Sequence, residues 1–290
     1  MTASLAVVAV AYGSDDTIGA FLTSLGESLR RAGQPDAEVV VADNSPVPSA
    51  TVVQLVEASG ARYLHLAANA GYGAGVTAAV AALERQATYL VVSNPDIVVE
   101  PDCLALLLSA AERLPDAGAL GPRILDDDGG TYPSARSLPS LRTGVGHAAL
   151  GRVWPTNPWS TSYKAERELD RERDAGWLSG AFLLLRRSAF DEVGGFDDSY
   201  FMYFEDVDLG QRLGRAGWRS VYVPTGTVVH AGAQSTSQNS VVMERVHHES
   251  AYLYLSRKYH GRVLAPLRLA LRLGLAARAR WVTRRRRRAS

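Results

Sequence analysis

The first half of the chain alternates short apolar runs with longer amphipathic stretches. Apolar runs bounded by turn residues predict strands, and apolar residues three or four positions apart predict helices. The predicted strands cover residues 5–12, 37–43, 62–67 and 88–93, and the predicted helices cover residues 16–32, 49–58, 75–86 and 101–114. This regular alternation predicts a doubly wound, mostly parallel α/β sheet that binds ligands at the carboxyl ends of its strands.

The regular pattern fails between residues 126 and 174, where glycine, proline and arginine are frequent. A loop of this length is commonly functional, so we expect a flexible functional loop over residues 126–176, with simple disorder as the alternative. The pattern then predicts strands over 181–187 and 220–223, a helix over 207–216, a short segment ending at His230, and a long helix over 239–259. We therefore expect one domain over residues 1–261, with halves at 1–125 and 177–261, and a tail over residues 262–290.

Composition limits the class of protein. The chain has 290 residues, of which 47% are hydrophobic and 21% charged, so it can form a substantial core. Its one cysteine, Cys103, lies in an apolar run, so no internal disulfide can form and a cytoplasmic location is favoured. No basic segment precedes the first apolar run, so we expect no signal peptide, and no apolar stretch is long enough to predict a spanning helix.

Charge is unevenly distributed along the chain. The formal net charge is +1, but residues 262–290 contain ten arginines and no acid, so residues 1–261 carry −9. Leucines alternate with these arginines as far as Trp281, a composition that suits an anionic membrane surface. Arginine runs also bind nucleic acid or stay solvated, and these leucines occupy too much of the helical circumference for one clean apolar face. We expect a helical tail that binds an anionic membrane surface and no nucleic acid.

Two predicted strands end in residues that could bind a ligand. Asp43 ends the second strand, where its carboxylate could accept hydrogen bonds from a nucleotide or could cap the following turn. Asn94 and Asp96 follow the fourth strand. Asp96 is there either as a turn former or as a hard oxygen ligand for a divalent cation.

Residues 69–75, Asn-Ala-Gly-Tyr-Gly-Ala-Gly, join the third predicted strand to the third predicted helix. They loosely match a dinucleotide-binding fingerprint. However, the glycines are spaced G-x-G-x-G, and no strand-end acid follows about 20 residues later. The spacing therefore opposes an NAD-dependent enzyme. The absence of a G-x-S-x-G segment likewise opposes a serine hydrolase.

Three acids, Glu205, Asp206 and Asp208, lie where a helix is predicted to begin. Acids in a first turn complement the helix dipole, which is the structural explanation. That explanation does not account for the aromatic residues at 201, 203 and 204. Aromatic groups that desolvate a carboxylate raise its pKa, as a group that must remove a proton from a hydroxyl requires.

These motifs, in this order, resemble an inverting family 2 glycosyltransferase with the GT-A fold, in the branch that includes bacterial rhamnosyltransferases. The resemblance covers about residues 5–235 and is carried mainly by Trp177–Arg187, Gly194–Asp197 and Phe201–Leu209. It implies a Rossmann-like nucleotide-binding half over residues 1–125, an acceptor-side loop over 126–176, and an acceptor-binding and catalytic half over 177–261. It also implies an enzyme of cell-envelope glycan synthesis, located in the cytoplasm at the inner face of the cell membrane.

The resemblance implies roles for the acidic residues. Asp206 is the expected general base. Glu205 is the expected ligand of the acceptor hydroxyl and the alternative base, and Asp208 is expected to cap the helix. The expected reaction transfers a sugar, L-rhamnose from dTDP-L-rhamnose, to a hydroxyl of a lipid-linked or polysaccharide acceptor.

The resemblance also implies a donor site with a divalent cation, Mg²⁺ or Mn²⁺. Asp96 and His230 are the expected metal ligands, although a lone histidine is more commonly structural. Asn94 stands where the family has the first Asp of its Asp-x-Asp signature. The expected contacts to the donor come from Asp43, Asn69, Gly71, Gly73, Asn94 and Asp96.

Two other classes of protein remain as hypotheses. A non-catalytic sugar-nucleotide or glycan-binding protein could keep the fold, but the presence of Asp96, Asp206 and His230 argues against it. An NAD-dependent Rossmann enzyme is opposed by the glycine spacing.

Overall fold

The computed structural model describes residues 4–140, 169–231 and 240–286. The strands within these ranges are β1 (Leu5–Ala11), β2 (Glu38–Asp43), β3 (Arg62–His65), β4 (Tyr89–Ser93), β5 (Ile97–Val99), β6 (Ala117–Asp126), β7 (Thr131–Tyr132), β8 (Ala135–Arg136), β9 (Arg173–Ala175), β10 (Trp177–Leu178), β11 (Phe182–Arg186) and β12 (Arg219–His230). The helices are α1 (Ile18–Arg31), α2 (Ala50–Ala58), α3 (Tyr72–Ala81), α4 (Cys103–Arg113), α5 (Arg187–Glu192), α6 (Glu205–Arg215), α7 (Ser240–Lys258) and α8 (Ala265–Arg286).

One large sheet runs through the described part of the chain in the order β3-β2-β1-β4-β11-β6-β12-β5. The first four of these strands are parallel neighbours, and β6 and β12 are also parallel. β11 lies antiparallel between β4 and β6, and β5 pairs antiparallel with β12. Every residue of β1 is buried, as expected for a strand covered on both faces. The doubly wound α/β fold is thus confirmed, with antiparallel pairing added in its second half.

Helices cover both faces of the sheet. On one face, Phe21 of α1 and Leu104 of α4 pack against alternate residues of β1, β4 and β11. On the other face, Val76 of α3, Phe190 of α5 and Leu213 of α6 pack against the remaining residues of the same strands. This alternation is the period of two that a pleated strand imposes.

α7 packs beside the beginning of α6. Ser250 Oγ donates a hydrogen bond to the carbonyl oxygen of Met202 (2.8 Å), and Tyr254 OH donates one to Gln211 Oε1 (2.9 Å). Tyr254 is buried with Tyr200 and Val207 in a small core of their own. α7 therefore holds the segment that leads into α6.

The sequence predicts an irregular loop over residues 126–176, and the structure differs at both ends of it. Residues at the two ends form β7, β8 and β9, each two or three residues long. Strands this short produce no periodic pattern. The central part of the predicted loop, residues 141–168, lies outside the described residues.

The sequence also misses or divides longer elements. β6 was not predicted, because Gly118, Gly121 and Pro122 interrupt its apolar pattern. The segments predicted over 220–223 and up to His230 form one strand, β12. Opposite β6, the pairing of β12 jumps from Val223–Pro122 to Thr227–Arg123, so three residues of β12 bulge out.

Candidate active site

Strand ends bring the predicted site residues to one edge of the sheet. Asp43 ends β2, Asp96 follows β4, and His230 ends β12. Because β11 is antiparallel to β4, it begins at this same edge, where the N–H of Asn94 donates to the carbonyl oxygen of Ala181 (2.9 Å). Residues 179–181 therefore join the strand ends that form the cleft.

Asp43 is fully buried and both of its carboxylate oxygens accept hydrogen bonds. Oδ1 accepts one from the N–H of Ser45 (2.8 Å), and Oδ2 accepts one from the hydroxyl of Tyr63 (2.7 Å). The bond to Ser45 is the turn cap that the sequence offers as an alternative role. Tyr63 was not singled out from the sequence, because its partner lies 20 residues away on the neighbouring strand.

The glycine loop before α3 contacts the acidic segment directly. Gly71 has φ of +104°, and a Cβ there would lie 2.1 Å from the carbonyl oxygen of Phe201. Asn69 Oδ1 accepts a hydrogen bond from the Gly71 N–H (3.0 Å), and a Cβ on Gly73 would lie 3.1 Å from Phe196 Cβ. Gly71 is therefore required by close backbone packing and by its left-handed conformation.

Tyr72 connects this loop to the acids, and sequence reasoning missed it. Its N–H donates to the carbonyl oxygen of Phe201 (2.9 Å). Its hydroxyl donates to the carbonyl oxygen of Gly180 (2.7 Å). The N–H of Gly180 in turn donates to Asp206 Oδ2 (3.0 Å). Burial, followed by the charges of Glu205, Asp206 and Asp96, raises the pKa of Tyr72. The available signal was an aromatic residue between two glycines of the loop.

The backbone before the acids is strained. Tyr203 and Phe204 have φ values of 66° and 68°, in the left-handed region that large side chains rarely adopt. Their rings contact the ring of His247 on α7, with centroids 5.4 and 5.5 Å apart. This packing explains the aromatic residues at 203 and 204. His247 thus has a packing role.

Glu205 and Asp206 occupy different environments. Glu205 is only 7% exposed, and its Oε2 atom has no hydrogen-bond partner in the described part of the chain. Burial, and then the charge of Asp206, raises the pKa of Glu205, so its neutral form is favoured.

Asp206 remains partly exposed, and both of its oxygens accept hydrogen bonds, Oδ2 from Gly180 and Oδ1 from the N–H of Val207 (2.8 Å). Burial raises the pKa of Asp206, while these bonds and the charge of Arg136 act in the opposite direction. Asp206 is therefore better able than Glu205 to remain a carboxylate. The structure corrects the role of Asp208, which does not cap the helix but is paired with Arg212 (2.6 Å), one turn further along α6.

Asp96 and His230 come together as the sequence predicts. His230 Nε2 lies 3.1 Å from Asp96 Oδ1, and this close polar contact, followed by the negative charge of Asp96, raises the pKa of His230. Asp96 Oδ1 is buried and receives no hydrogen bond of regular geometry. A carboxylate oxygen and an imidazole nitrogen fit a divalent cation completed by phosphate oxygens. Across the residues that the structure describes, no three His, Cys, Asp or Glu side chains converge on one point.

The fold is shared with glycosyltransferases that have been crystallised with nucleotides and Mn²⁺. The mannosyltransferase PcManGT from Pyrobaculum calidifontis, in complex with GDP-Man and Mn²⁺, has a TM-score of 0.57 and 13% identity, covering 98% of this chain and 72% of that one. GalNAc-T7 with UDP, GalNAc and Mn²⁺ has a TM-score of 0.56 and 14% identity, covering 79% of this chain and 43% of that one. At these identities the likeness establishes the GT-A fold alone.

Sequence comparison establishes the family. The profile of glycosyl transferase family 2 matches residues 6–194. The N-acetylglucosaminyl-diphospho-decaprenol L-rhamnosyltransferase of Mycobacterium tuberculosis is 45% identical over 98% of this chain and 94% of its own length. The rhamnosyltransferase WbbL of Escherichia coli is 31% identical over 59% of this chain and 62% of its own length. The chain belongs to glycosyl transferase family 2 and is a glycosyltransferase, which confirms the family and the class of enzyme predicted from the sequence.

The raised pKa of Glu205 predicts a pH-dependent effect on stability. The folded protein holds the Glu205 proton more tightly than the unfolded chain does. The stability from this group is therefore complete below about pH 4.3 and is lost as the pH rises through the folded pKa. Glu205→Gln keeps a neutral group of the same size, so its Tm should rise relative to the wild type from about pH 5 to pH 9. Thermal melts across this range test it. A difference in Tm that stays constant would show that Glu205 ionises normally.

Proposed function

We propose that the enzyme transfers L-rhamnose from dTDP-L-rhamnose to a hydroxyl group of a polyprenyl-diphosphate-linked sugar, with inversion at the anomeric carbon. The observation that carries this proposal is the 45% identity, over nearly the whole chain, to an L-rhamnosyltransferase named for an N-acetylglucosaminyl-diphospho-decaprenol. The cleft adds a partly exposed carboxylate, Asp206, near the Asp96–His230 pair, as a single displacement of a diphosphate requires. The product belongs to cell-envelope glycan synthesis.

Asp206 is the general base of the proposed reaction. Its carboxylate removes the proton of the acceptor hydroxyl, the hydroxyl oxygen forms a bond to the anomeric carbon, and the bond to the nucleoside diphosphate breaks. The hydrogen bond from Gly180 fixes the orientation of Asp206, and partial burial increases its basicity. Glu205, held neutral by burial, donates a hydrogen bond to the acceptor or orients it.

The donor lies against the strand ends and the glycine loop in this proposal. Asp43 and Asn69 contribute polar groups, Gly71 and Gly73 allow close backbone approach, and Asn94 borders the diphosphate. Asp96 and His230 would hold Mg²⁺ or Mn²⁺, and such an ion would supply positive charge to offset that of the departing diphosphate.

We also infer peripheral binding to the inner membrane surface through α8. No helix in the described ranges is long and apolar enough to span a bilayer. α8 packs against α7, and Leu267, Leu271 and Leu275 form a half-buried row along it. Leu269 and Leu273 are 58% and 63% exposed. The many leucines of the tail thus divide into a packed row and an outer row, and the outer row suits insertion beside acidic headgroups.

Asp206→Asn should lower kcat by roughly 100-fold or more, because asparagine cannot accept the proton. The KM for the donor should change little, and steady-state kinetics at saturating donor measures both. Glu205→Gln is the matched control and should keep most of the turnover, because Glu205 is already neutral. If Glu205→Gln is inactive while Asp206→Asn turns over, the base is Glu205.

Chelation should abolish transfer, and added Mg²⁺ or Mn²⁺ should restore it. Asp96→Asn should raise the metal concentration needed for half-maximal activity by about 10-fold or more, because it removes a charged ligand. Assays in EDTA followed by metal titration test both statements. Full activity in excess EDTA would show that the reaction needs no metal ion.

The double substitution Leu269→Ser, Leu273→Ser should weaken binding to vesicles of anionic phospholipid by about 10-fold or more, because it removes the exposed apolar row. Co-sedimentation measures binding, which should also fall as salt rises. Activity on a water-soluble acceptor should persist, because the packed row is intact. Deleting residues 262–290 is a less selective test, since it also uncovers α7. Unchanged vesicle binding by the double variant would exclude this surface as the anchor.

A further inference from the structure

The strand pair β8–β10 lies against the helix that carries Asp206. Arg136 pairs with Trp177 across the two strands, and the Gly176 N–H donates to the Arg136 carbonyl oxygen (2.9 Å). The α6 helix packs tightly on this pair, since a Cβ on Gly210 would lie 2.7 Å from the Gly176 oxygen. The backbone of Arg136 is therefore fixed relative to the helix that carries Asp206.

Within the described residues, the side chain of Arg136 is held in place without a carboxylate partner. Its guanidinium carbon lies 5.4 Å from the ring centre of Tyr132 and 5.7 Å from that of Trp177, and its Nε donates to the carbonyl oxygen of Pro133 (2.7 Å). Among the described residues no carboxylate lies within ion-pair distance of it, and its two terminal NH₂ groups donate no hydrogen bond. Arg123 on β6, in contrast, is paired with Asp170. Arg136 thus keeps a planar pair of donors available.

The charge of Arg136 reaches the catalytic carboxylate. Trp177, which pairs with Arg136, stands three residues before Gly180, whose N–H donates to Asp206 Oδ2 (3.0 Å). In agreement with this geometry, the charge of Arg136 acts to lower the pKa of Asp206. Tyr132, on which Arg136 stacks, also lies close enough to Tyr203 to raise the pKa of the Tyr203 hydroxyl. Arg136 therefore lies near both the β7–β8 turn and the acidic segment.

We propose that Arg136 binds the diphosphate of the lipid-linked acceptor. The inference rests on the proposed function, in which the acceptor sugar carries both the attacking hydroxyl and a diphosphate. If the hydroxyl contacts Asp206, the diphosphate lies about one sugar ring away, within reach of a neighbouring guanidinium. The planar fork of arginine matches two phosphate oxygens. The donor diphosphate has other partners at Asp96 and His230.

The charge of residues 1–261 favours such a group. Residues 1–261 carry a formal charge of −9, which repels an anionic acceptor. Glu205 and Asp206 both lie at the point of transfer, and only Glu205 is held neutral by burial. A cation that is fixed by stacking can attract the diphosphate without forming an ion pair with the base.

The test compares Arg136→Gln, Arg136→Lys and the control Arg187→Gln in the full chain. Arg187 is paired with Asp191 at the end of β11 away from the cleft, so its loss changes net charge equally.

Two acceptors are used, a short-chain prenyl-diphosphate-linked N-acetylglucosamine and a neutral alkyl N-acetylglucosaminide. Arg136→Gln should raise KM for the first by about 10- to 100-fold, with the KM for the donor and the KM for the neutral acceptor unchanged. The KM of Arg136→Lys for the diphosphate-linked acceptor should lie between those of the wild type and Arg136→Gln. Arg187→Gln should match the wild type.

Other results would overturn the assignment. A rise in donor KM with unchanged acceptor KM would assign Arg136 to the donor diphosphate. An equal loss on both acceptors, with a shifted pH profile, would show that Arg136 only positions or tunes Asp206. Melting curves identify a variant that fails to fold, in which case Arg136→Lys decides.

Binding measured without turnover separates this inference from the proposed function. Calorimetry with a short prenyl diphosphate, in saturating dTDP to occupy the donor site, should show binding to the wild type and a loss of about 10-fold or more in Arg136→Gln. Arg136-dependent binding by an enzyme that does not transfer rhamnose would overturn the proposed function and leave the site standing. Rhamnosyl transfer with no Arg136-dependent binding would overturn the assignment of Arg136 and leave the proposed function standing.

Discussion

The active-site geometry depends on the contact between the glycine loop and the acidic segment. The Tyr72 N–H donates to the Phe201 carbonyl oxygen, and this approach is possible only because residue 71 has no side chain. Through its hydroxyl, Tyr72 also holds Gly180, whose N–H orients Asp206. Three segments far apart in sequence are thereby fixed to one another. Asp206 would otherwise depend only on the first turn of its own helix.

The same segment carries two left-handed aromatic residues, which require support from elsewhere in the fold. Such a conformation costs roughly 1–3 kcal/mol at each residue. α7 supplies the support through the ring of His247 and the hydrogen bond from Ser250 to Met202. A helix that carries neither Glu205 nor Asp206 therefore supports the segment that positions them. Because α8 packs on α7, the proposed membrane surface and the catalytic segment share one helix as a common support.

The sequence predicted the features of the fold that depend on local patterns of apolar and polar residues. Buried strands such as β1 and β4 gave apolar runs bounded by turns, so the doubly wound sheet and its ligand-binding edge followed, and the comparisons confirmed the fold and family. Asp96 and His230 were paired by resemblance and are adjacent in the structure, while their role as metal ligands stays a prediction. The same holds for Asp206 as the base and for the residues expected at the donor.

Long-range pairing controls the features that the sequence did not predict. The apolar pattern of β6 is interrupted by Gly118 and Gly121, which make room for Trp218 and Leu178. These two side chains lie more than 50 positions away in the sequence. The positions of Tyr72 and Arg136 depend on strands and turns that meet only in the folded chain. The leucines of the tail surround most of α8, and their division into a half-buried row and an exposed row is defined only when α8 packs against α7. None of these relations has a period or a spacing that a sequence window could detect.

The bulge in β12 lets one strand pair in two registers. As far as Val223 the strand pairs with β6 in one register, and from Thr227 to His230 it pairs in another, with three unpaired residues between them. Beyond the bulge, pairing with β6 and β5 sets the face on which His230 lies, which is the face beside Asp96. A bulge accommodates unpaired residues locally and leaves the pairing beyond it intact. In this enzyme the position of the histidine is therefore uncoupled from the exact length of the chain that precedes it in the strand.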